Sequence, residues 1–592
     1  MGNKTALWVV VLLAVVLVGC TETAVSVTPT PDAVGTPTMS MVAQERFNTL
    51  RIVFWQAPEM LNPHLSGSAK DLGASRIAYE PLATFDANGE LVPFLAAQIP
   101  SLENGQVAED GRSVTWKLRE DVYWADGEPF TADDVYFTYQ FIINPDVKSA
   151  SASVYRSVQE VKVLDPYTVQ VIFTETNPAW YVPFVGFRGM ILPQHIFEAY
   201  NGANAAQAPA NATPIGTGPY YAIKNEPQEV IFLGDNLVQT NQITFAPNPY
   251  FREAGTPFFG QVILTGGGSS DEAARLVMNT GEVDFAWNLT TSSEELLPLE
   301  ELGNAKLVVN FGARVERLVL NHSDPYTEVN GERSNKDVPH PYLSDLRVRQ
   351  ALSYAIDRDS IAALYGLSGR AVSNNLVVPP TFASPNTSYE FNLDKAAALL
   401  DEAGWIDSDG DGVRDKEGIE LRLIYRTPLD TIHQETQAIV RRNLAQIDVA
   451  VDLQPVDAGV FYSKAPDGVF LFQADMQELF IGMVSPDPGT YMVYWTCGQI
   501  PQAANSWSGF NLERWCNADY DMLYTQSTTE LEPERRQQLF IDMNDLLVND
   551  VVMIPLVHLG EVSAVGTDIE GLDPTPWDSI LWNIKDWRRT NP

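Results

Sequence analysis

Apolar and polar positions along this chain follow two periods, which predicts a mixture of strands and helices. Short apolar runs bounded by turn residues, at 50–54, 420–425 and 449–453, are typical of buried strands. Apolar residues spaced three and four apart predict helices at 392–403 and 431–446. Because no unit of fixed length recurs, the pattern predicts an α/β or α+β chain with long excursions.

Turn and capping residues mark several of the predicted boundaries. The sequence DANG at 86–89 is a turn between two β-rich pieces. Thr131 can accept hydrogen bonds from the first amides of a helix that follows it, with Asp133 and Asp134 near the positive end of that helix. Gly404 is suited to ending the helix at 392–403.

The first twenty residues have the pattern of a secretory signal. Lys4 precedes an apolar run at 6–18, which is shorter than the roughly 20 residues that a helix needs to span a bilayer. The run ends in LVGC, which resembles the bacterial lipoprotein box, and the resemblance implies that Cys20 is lipidated and becomes the mature N-terminus. An ordinary signal peptide with a chance cysteine is the alternative. Because one acyl chain holds a protein only weakly, the resemblance implies several chains.

Residues 21–44 are rich in Thr, Pro, Ser and Val and follow neither period. Such a segment buries too little apolar surface to offset the entropy lost on ordering. It is therefore predicted to be a disordered tether.

The composition limits the classes of function. The chain has 592 residues, with 76 acidic and 38 basic side chains and a formal charge of −38, so nucleic acid would repel it. Charged residues make up 19% and apolar residues 45%, which indicates a globular body. A chain of this length exceeds what one core supports, so several domains are expected.

The chain has three cysteines. If Cys20 carries lipid, Cys497 and Cys516 remain as an even pair in a compartment where disulfides persist. Parity leaves two interpretations open, a bridge and two free thiols.

Seven blocks, in a fixed order from about 51 to 557, resemble one protein family. They read LNPHL, YEPLATFDANGELVPFLA, VTWKLREDVYWADGEPFTADDVYFTYQ, PIGTGPY, VMNTGEVDFAW, PYLSDLRVRQALSYAIDRDSIA and KAAALLDEAGWIDSDGDGVRDKEG. On these blocks the chain is similar to bacterial extracellular solute-binding proteins of family 5, the dipeptide and oligopeptide class. The resemblance implies the type II, two-lobed periplasmic binding protein fold, α/β in class, with an extra inserted domain and a ligand cleft between the lobes.

The resemblance also implies how the domains are distributed along the chain. The first lobe is assembled from segments that are discontinuous in sequence, and the extra domain is inserted between two of them. The predicted parts are a lipoprotein signal peptide at 1–20, a tether at 21–44, lobe I at 45–85 with 212–312 and 553–592, the extra domain at 86–211, and lobe II at 313–552.

The resemblance implies a set of residues that contact the ligand. The loop Ser66, Gly67, Ser68 and Ala69 matches a ligand-contacting loop, in which small side chains allow close approach. Arg426 resembles the arginine that holds a peptide's terminal carboxylate, although an arginine flanking a strand end is the alternative.

The expected ammonium-binding aspartate is replaced in this chain. Met483 or Val484 stands at its position, and Asp487 aligns with the aspartate of the family's following Asp-Pro pair. An ammonium group buried without a counter-charge is costly, so the anchor is missing or displaced to Asp487. Nearby, Tyr491 and Trp495 could stack on a ligand or belong to the core. The family also has a cysteine pair matching Cys497 and Cys516, which implies a disulfide that staples the loop bordering the cleft.

The segment 407–418 matches the order of a calcium loop. Its predicted ligands come at the first, third, fifth, seventh and ninth places, namely Asp407, Asp409, Asp411, Val413 and Asp415. The twelfth place is Gly418, where a bidentate glutamate is expected. The alternatives are a structural calcium ion and a calcium-free acidic turn.

Motifs for catalysis are missing from the sequence. The six histidines are scattered without zinc spacing, and neither a nucleophile turn nor a Walker loop is found. We therefore expect no enzymatic activity and no cofactor apart from the calcium just described. An oligosaccharide receptor of the same fold and a secreted lipoprotein hydrolase are the alternatives.

The predicted function is peptide capture for import. The protein is expected to be a monomer that closes about its hinge on a small-molecule or peptide ligand and delivers it to an ABC permease and ATPase complex. It is expected outside the cytoplasm, anchored to the cell membrane by the lipid on Cys20.

Overall fold

The computed structural model describes residues 47–227, 231–233, 236–238 and 241–590. The predicted signal peptide at 1–20, the lipidation site Cys20 and the tether at 21–44 lie outside the described residues.

Strands are spread over the whole described chain. They are β1 (Thr49–Phe54), β2 (Ala83–Phe85), β3 (Leu91–Pro93), β4 (Ser113–Lys117), β5 (Val158–Asp165), β6 (Thr168–Phe173), β7 (Tyr220–Pro227), β8 (Ile231–Leu233), β9 (Asn236–Val238), β10 (Asn241–Pro247), β11 (Gln261–Gly266), β12 (Phe285–Trp287), β13 (Ala305–Leu320), β14 (Gly369–Ala371), β15 (Asp415–Lys416), β16 (Ile419–Glu420), β17 (Arg422–Pro428), β18 (Ala450–Val456), β19 (Met476–Gly482), β20 (Met553–Gly566), β21 (Ile569–Glu570) and β22 (Arg588–Arg589).

Helices lie between groups of these strands. They are α1 (Ala69–Ser75), α2 (Ala132–Ile143), α3 (Gln194–Phe197), α4 (Ser270–Met278), α5 (Ser293–Glu300), α6 (Leu346–Tyr354), α7 (Arg358–Leu364), α8 (Leu393–Glu402), α9 (Thr431–Ala445), α10 (Ala458–Phe461), α11 (Gly489–Met492), α12 (Ala518–Ser527) and α13 (Pro533–Asn549). Within the described ranges, no helix has the length and apolar character needed to cross a membrane.

One mixed sheet of eleven strands connects most of the described chain. Its order is β18-β17-β19-β13-β20-β12-β1-β11-β10-β7, and β14 pairs with β20 off this path. We call the half containing β1, β11 and β12 the first lobe, and the half containing β17, β18 and β19 the second lobe.

Two long antiparallel strands, β13 and β20, pass through both lobes. Residues 305–311 of β13 pair with 560–566 of β20 in the first lobe, and residues 314–319 pair with 553–559 in the second. The register shifts between Phe311 and Arg314, which leaves Gly312 and Ala313 as a bulge at the crossing. A bulge bends the strand that carries it, so β13 changes direction where it passes from one lobe to the other. We call this crossing the hinge.

Each lobe has its own hydrophobic core. Alternate residues of β1 point to opposite faces of the first-lobe sheet, so Ile52 and Phe54 join one cluster and Val53 joins another. The second lobe packs α6 to α9 around Leu423 of β17. A further core around Trp116 belongs mainly to the 86–211 segment, whose three-stranded sheet has the order β4-β6-β5.

Local signals place several element ends where the sequence predicts them. Thr131 precedes α2, and its backbone N–H donates to the Asp134 carboxylate at 3.0 Å in a capping box. Gly404 follows α8 with a φ of +84°, which favours glycine. Asp357 caps α7 by accepting a hydrogen bond of 3.1 Å from the Ser360 amide, and α6 ends three residues before it at Tyr354.

Candidate ligand cleft at the hinge

A cavity of about 440 Å³ lies where the hinge meets both lobes and the 86–211 segment. Its walls come from the start of α1, the loop after β12, the hinge strands, the segment around Arg188 and the residue after β19. Residues that define it include Gly67, Arg188, Asn310, Arg314, Met483 and Glu561. A cavity at the hinge changes shape when the lobes rotate, so an occupant could bias closure.

Three side chains set the charge of this cavity. Arg314 is exposed, with its guanidinium 5.7 Å from the centre of the Phe480 ring. Arg188 donates to the Ala150 carbonyl at 3.2 Å. Glu561 accepts a hydrogen bond of 2.8 Å from Trp287 Nε1.

The carboxyl of Glu561 is held in a largely buried setting. Burial raises its pKa above the ordinary value, while the Trp287 hydrogen bond and the charge of Arg314 act in the opposite direction. Asp578 also lines the cavity, but Arg76 balances it at 3.1 Å with both side chains buried. The cavity therefore offers cationic groups and one carboxylate to a ligand that carries both signs of charge.

The predicted loop 66–69 reaches this cavity with two of its four residues. Gly67 and Ala69 line the cavity. Ser66 donates to the Asp71 carboxylate at 2.7 Å and accepts from the Ser68 amide at 3.1 Å. The two serines therefore hold the turn that leads into α1, and the two small residues form the wall.

Met483 lines the cavity, whereas Val484 is 76% exposed outside it. The residue that stands where an ammonium-binding aspartate was expected thus offers an apolar surface. Glu561 supplies a carboxylate to the same cavity from the hinge strand β20. The carboxylate of this cavity therefore lies on a different element from the one that the family resemblance implies.

Asp487 forms a buried ion pair and does not line the cavity. Its carboxylate lies 3.0 Å from Arg536 Nη2 and accepts hydrogen bonds from Tyr181 Oη and the Gly489 amide, both at 2.8 Å. Burial acts to raise the pKa of Asp487, but Arg536 and these hydrogen bonds outweigh it and hold the pKa below its usual value. Its acceptor capacity is used by these partners, so the structure does not support a displaced ammonium anchor at Asp487.

Arg426 lies within β17 and does not line the cavity. Its guanidinium donates to Gln454 Oε1 at 3.0 Å and to the Pro466 carbonyl at 3.2 Å, and it pairs with Asp467 at 2.9 Å. The structure therefore does not bring the predicted carboxylate anchor together with the loop at 66–69.

Tyr491 and Trp495 belong to the core of the second lobe. They are 2% and 0% exposed, and their rings lie 5.0 Å apart. The guanidinium of Arg317 lies 5.3 Å from the centre of the Trp495 ring, and Tyr491 accepts a hydrogen bond from Arg317. Neither ring reaches the cavity, so of the two interpretations of these residues the structure favours the core.

Residues 90–501 match the model of a family described as "Bacterial extracellular solute-binding proteins, family 5 Middle". This chain belongs to that family. The predicted two-lobed α/β fold with a cleft between the lobes is confirmed.

Family 5 relatives are similar along most or all of the chain. The nickel-binding periplasmic protein of Escherichia coli (strain K12) is 24% identical over 422 residues, which are 69% of this chain and 71% of that relative. The oligopeptide-binding protein AppA of Bacillus subtilis (strain 168) is 23% identical over 595 residues, covering 99% of each chain. The structure of B. subtilis AppA in complex with a nonapeptide is 21% identical, with a TM-score of 0.61, and covers 91% of this chain and 98% of that one. The last comparison supports the fold alone.

A disulfide bond joins Cys497 and Cys516 in this family 5 protein. Their Cα atoms lie 4.7 Å apart. Inside the closed loop, Asn511 donates to the carbonyls of Thr496 and Trp515 at 3.0 and 2.7 Å. These bonds order the loop that follows α11.

The acidic loop at 407–415 is exposed and brings three of its predicted ligands together. One carboxylate oxygen each of Asp407, Asp409 and Asp415 lies within 4.8 Å of the others. Asp411 instead accepts from the Val413 amide at 2.9 Å. Hydrogen bonds from Ser408 lower the pKa of Asp415, so its carboxylate is already occupied in part.

Sequence reasoning missed the charged residues of the cavity. Arg188, Arg314 and Glu561 are separated by 126 and 247 positions, so no local spacing connects them. The sequence did contain one indication at Glu561. Strand β20 is apolar along most of its length, and Glu561 is its one acidic residue, with His558 as the other ionisable side chain.

Proposed function

We propose that this protein is the substrate-binding component of an ABC importer and that it captures peptides in the cavity at the hinge. The observation that carries the proposal is the placement of Glu561 opposite cationic side chains in one cavity at the crossing of β13 and β20. A peptide with free termini carries an ammonium and a carboxylate group, which these side chains complement.

The relatives support this class of ligand. One full-length relative is named an oligopeptide-binding protein, and its structure is described with a nonapeptide. Another relative is named a nickel-binding protein, so family membership by itself leaves the ligand open.

The transport cycle follows from the hinge. A ligand that contacts Gly67 and Glu561 in the first lobe and Met483 in the second stabilises the arrangement in which those surfaces are close. A permease and its ATPase would recognise that arrangement and take up the ligand, on which this protein performs no chemistry. Lipid on Cys20 and the tether at 21–44 would keep the protein outside the cytoplasm at the membrane where the permease lies.

Isothermal titration with peptides of free and blocked termini tests the proposal. We expect a free peptide to bind and to raise the melting temperature, since it binds the native state. Acetylation of the amino terminus should weaken binding by at least about tenfold, because a charged hydrogen bond is worth about 1.5–3 kcal/mol. Glu561→Gln should reduce the difference between the free and the acetylated peptide, whereas the exposed Glu301→Gln serves as the matched control.

Two outcomes would overturn the peptide proposal. Peptides that leave the melting temperature unchanged, together with β-glucan oligosaccharides that raise it, would replace the peptide proposal by an oligosaccharide receptor. Release of product from a model substrate would replace it by a hydrolase.

A further inference from the structure

A second group of ionisable side chains lies in the second lobe, away from the cavity at the hinge. It consists of Glu316 on β13, Glu478 on β19 and His433 in the first turn of α9. One carboxylate oxygen of each glutamate and one imidazole nitrogen lie within 4.8 Å of one another. None of the three lines the cavity.

The two glutamates are buried and incompletely paired. Glu316 is 1% exposed and Glu478 is 0% exposed. The Oε1 atom of each has no hydrogen-bond partner among the described residues. A buried carboxylate without a partner is costly, so two such groups close together favour a cation or a proton between them.

His433 supplies the positive charge at this point: burial lowers its pKa, but Glu316, Glu478 and Asp430 outweigh burial and raise the pKa to about 9, so a metal ion would have to displace its proton. The imidazole Nε2 of His433 lies 3.6 Å from Glu316 Oε1, beyond hydrogen-bond length. Burial, and then the charge of Glu316, raise the pKa of Glu478 well above its usual value, while His433 is the single cation among the main groups that act on it. Asp430, beside His433, adds further negative charge.

The far sides of the ligand groups are fixed by their own hydrogen bonds. His433 Nδ1 lies 2.6 Å from Asp430 Oδ2, which orients the ring and turns Nε2 toward the glutamates. Tyr425 donates its hydroxyl hydrogen to Glu478 Oε2, whereas Oε1 has no hydrogen-bond partner among the described residues. A carboxylate behind the imidazole and a hydrogen bond behind the ligating carboxylate are the supports that metal ligands in proteins usually have.

We propose that Glu316, Glu478 and His433 bind a divalent first-row transition metal ion, for which Zn²⁺ is the reference. One imidazole nitrogen and two carboxylate oxygens suit such an ion, whereas Ca²⁺ and Mg²⁺ take oxygen ligands. The ion would connect the hinge strand β13 with β19 and α9 and would thereby stiffen the second lobe beside the hinge. The proposal does not rest on peptide binding, because its ligands are separate from the cavity.

Cobalt alone is the probe for the first experiment. The purified protein is freed of metal with a chelator and titrated with Co²⁺, and its visible d–d absorption is recorded. We expect a saturable signal that Zn²⁺ displaces, and Zn²⁺ alone should raise the melting temperature. His433→Gln and Glu478→Gln should each weaken Co²⁺ binding by more than tenfold.

Two variants separate this site from other metal-binding groups. Asp407→Asn changes the acidic loop, and His195→Gln removes an exposed imidazole that pairs with Asp126. Both should leave the Co²⁺ signal intact. Peptide titration of the metal-free protein distinguishes a failure of this proposal from a failure of the proposed function.

A signal that is absent from the wild-type protein, or unchanged in His433→Gln, would overturn the proposal. If the glutamate variant fails to fold, X-ray absorption spectroscopy on the zinc-loaded wild type decides. A first shell without both an imidazole nitrogen and carboxylate oxygens would likewise overturn it.

Discussion

The hydroxyl of Tyr181 donates a hydrogen bond of 2.8 Å to the carboxylate of Asp487, 306 residues further along the chain. Tyr181 belongs to the 86–211 segment, and Asp487 precedes α11 in the second lobe. Arg536 of α13 pairs with the same carboxylate and holds it in place. The hydrogen bond from Tyr181 can therefore form only where the 86–211 segment touches the second lobe. It is a direct link across the side of the cleft.

Removing this link should shift the balance between closed and open forms. Tyr181→Phe keeps the ring, which packs edge-on at 5.8 Å from Phe85, and leaves the Asp487–Arg536 pair intact. A hydrogen bond of about 1 kcal/mol corresponds to a roughly fivefold shift toward the open form. Spin-label distances between the 86–211 segment and the second lobe measure it. Tyr136→Phe is the control, since its hydroxyl bonds to Gln140 within α2; equal distance distributions for both variants would contradict the expectation.

Breaking the buried pair itself should destabilise the fold. Asp487→Asn leaves Arg536 buried without its counter-charge, at an expected loss of about 3–5 kcal/mol in the free energy of unfolding. Urea denaturation measures the loss. Asp121→Asn breaks an exposed pair with Arg119 and should cost at most about 1 kcal/mol.

The same pair gives a pH dependence with a definite sign. The pKa of Asp487 is lower in the folded protein than in the unfolded chain. Its stabilising contribution is therefore present above the unfolded pKa and is lost as the pH falls through the folded one. Wild type should lose more stability than Asp487→Asn on acidification below about pH 4; parallel losses would show that another group is responsible.

His64 should make stability depend on pH closer to neutrality. Its ring is buried, with Nε2 at 2.8 Å from the Met190 carbonyl and Nδ1 at 3.0 Å from Ser151 Oγ. Burial lowers the pKa of His64 to about 4, so its contribution is present above pH 6.5 and is lost as the pH falls toward 4. Between pH 7 and 5 this amounts to about 2 kcal/mol. Urea midpoints of wild type and His64→Gln should differ in slope with pH, while the exposed His195→Gln should follow wild type.

Two arginines compete for the role of carboxylate anchor. The family resemblance implies Arg426, whereas the cavity contains Arg314. Because the guanidinium of Arg426 is engaged by Gln454 and Asp467, we expect Arg314→Ala to weaken binding of a free-carboxylate peptide about tenfold and Arg426→Ala less than about threefold. Isothermal titration calorimetry with the peptide and with its C-terminal amide measures the loss of affinity in each variant. A larger loss in Arg426→Ala than in Arg314→Ala would show that Arg426 is the carboxylate anchor.

Calcium binding by the loop at 407–415 stays a prediction. Asp407, Asp409 and Asp415 converge, and a bound ion would stabilise the native state. We expect added calcium to raise the melting temperature of wild type but not of Asp407→Asn with Asp409→Asn. If neither calcium nor a chelator changes the melting temperature of the wild type, the loop does not bind calcium.

Local structure and family were accessible from the sequence. The strand at 50–54, the helix at 431–446 and the caps at Thr131 and Gly404 depend on neighbours a few positions away, and the structure places elements there within one or two residues. The ordered blocks indicated the family because they extend along most of the chain, from about 51 to 557.

The site required the tertiary structure. Arg188, Arg314 and Glu561 meet because β13 pairs with β20 across more than two hundred residues, and no local period encodes that register. Tyr491 and Trp495 are aromatic residues of the kind that stack on ligands, but their packing around Arg317 buries them.

Ion pairing also differs among acidic residues that the sequence does not distinguish. Asp487 is neutralised by Arg536, whereas Glu316 and Glu478 retain unpaired oxygens. The sequence by itself determined local elements such as the strand at 50–54 and the helix at 431–446, together with the family of this protein, because these follow from short-range patterns. The tertiary structure alone decided which charges face the cavity and which are paired, because burial and pairing depend on the contacts of the whole packed chain.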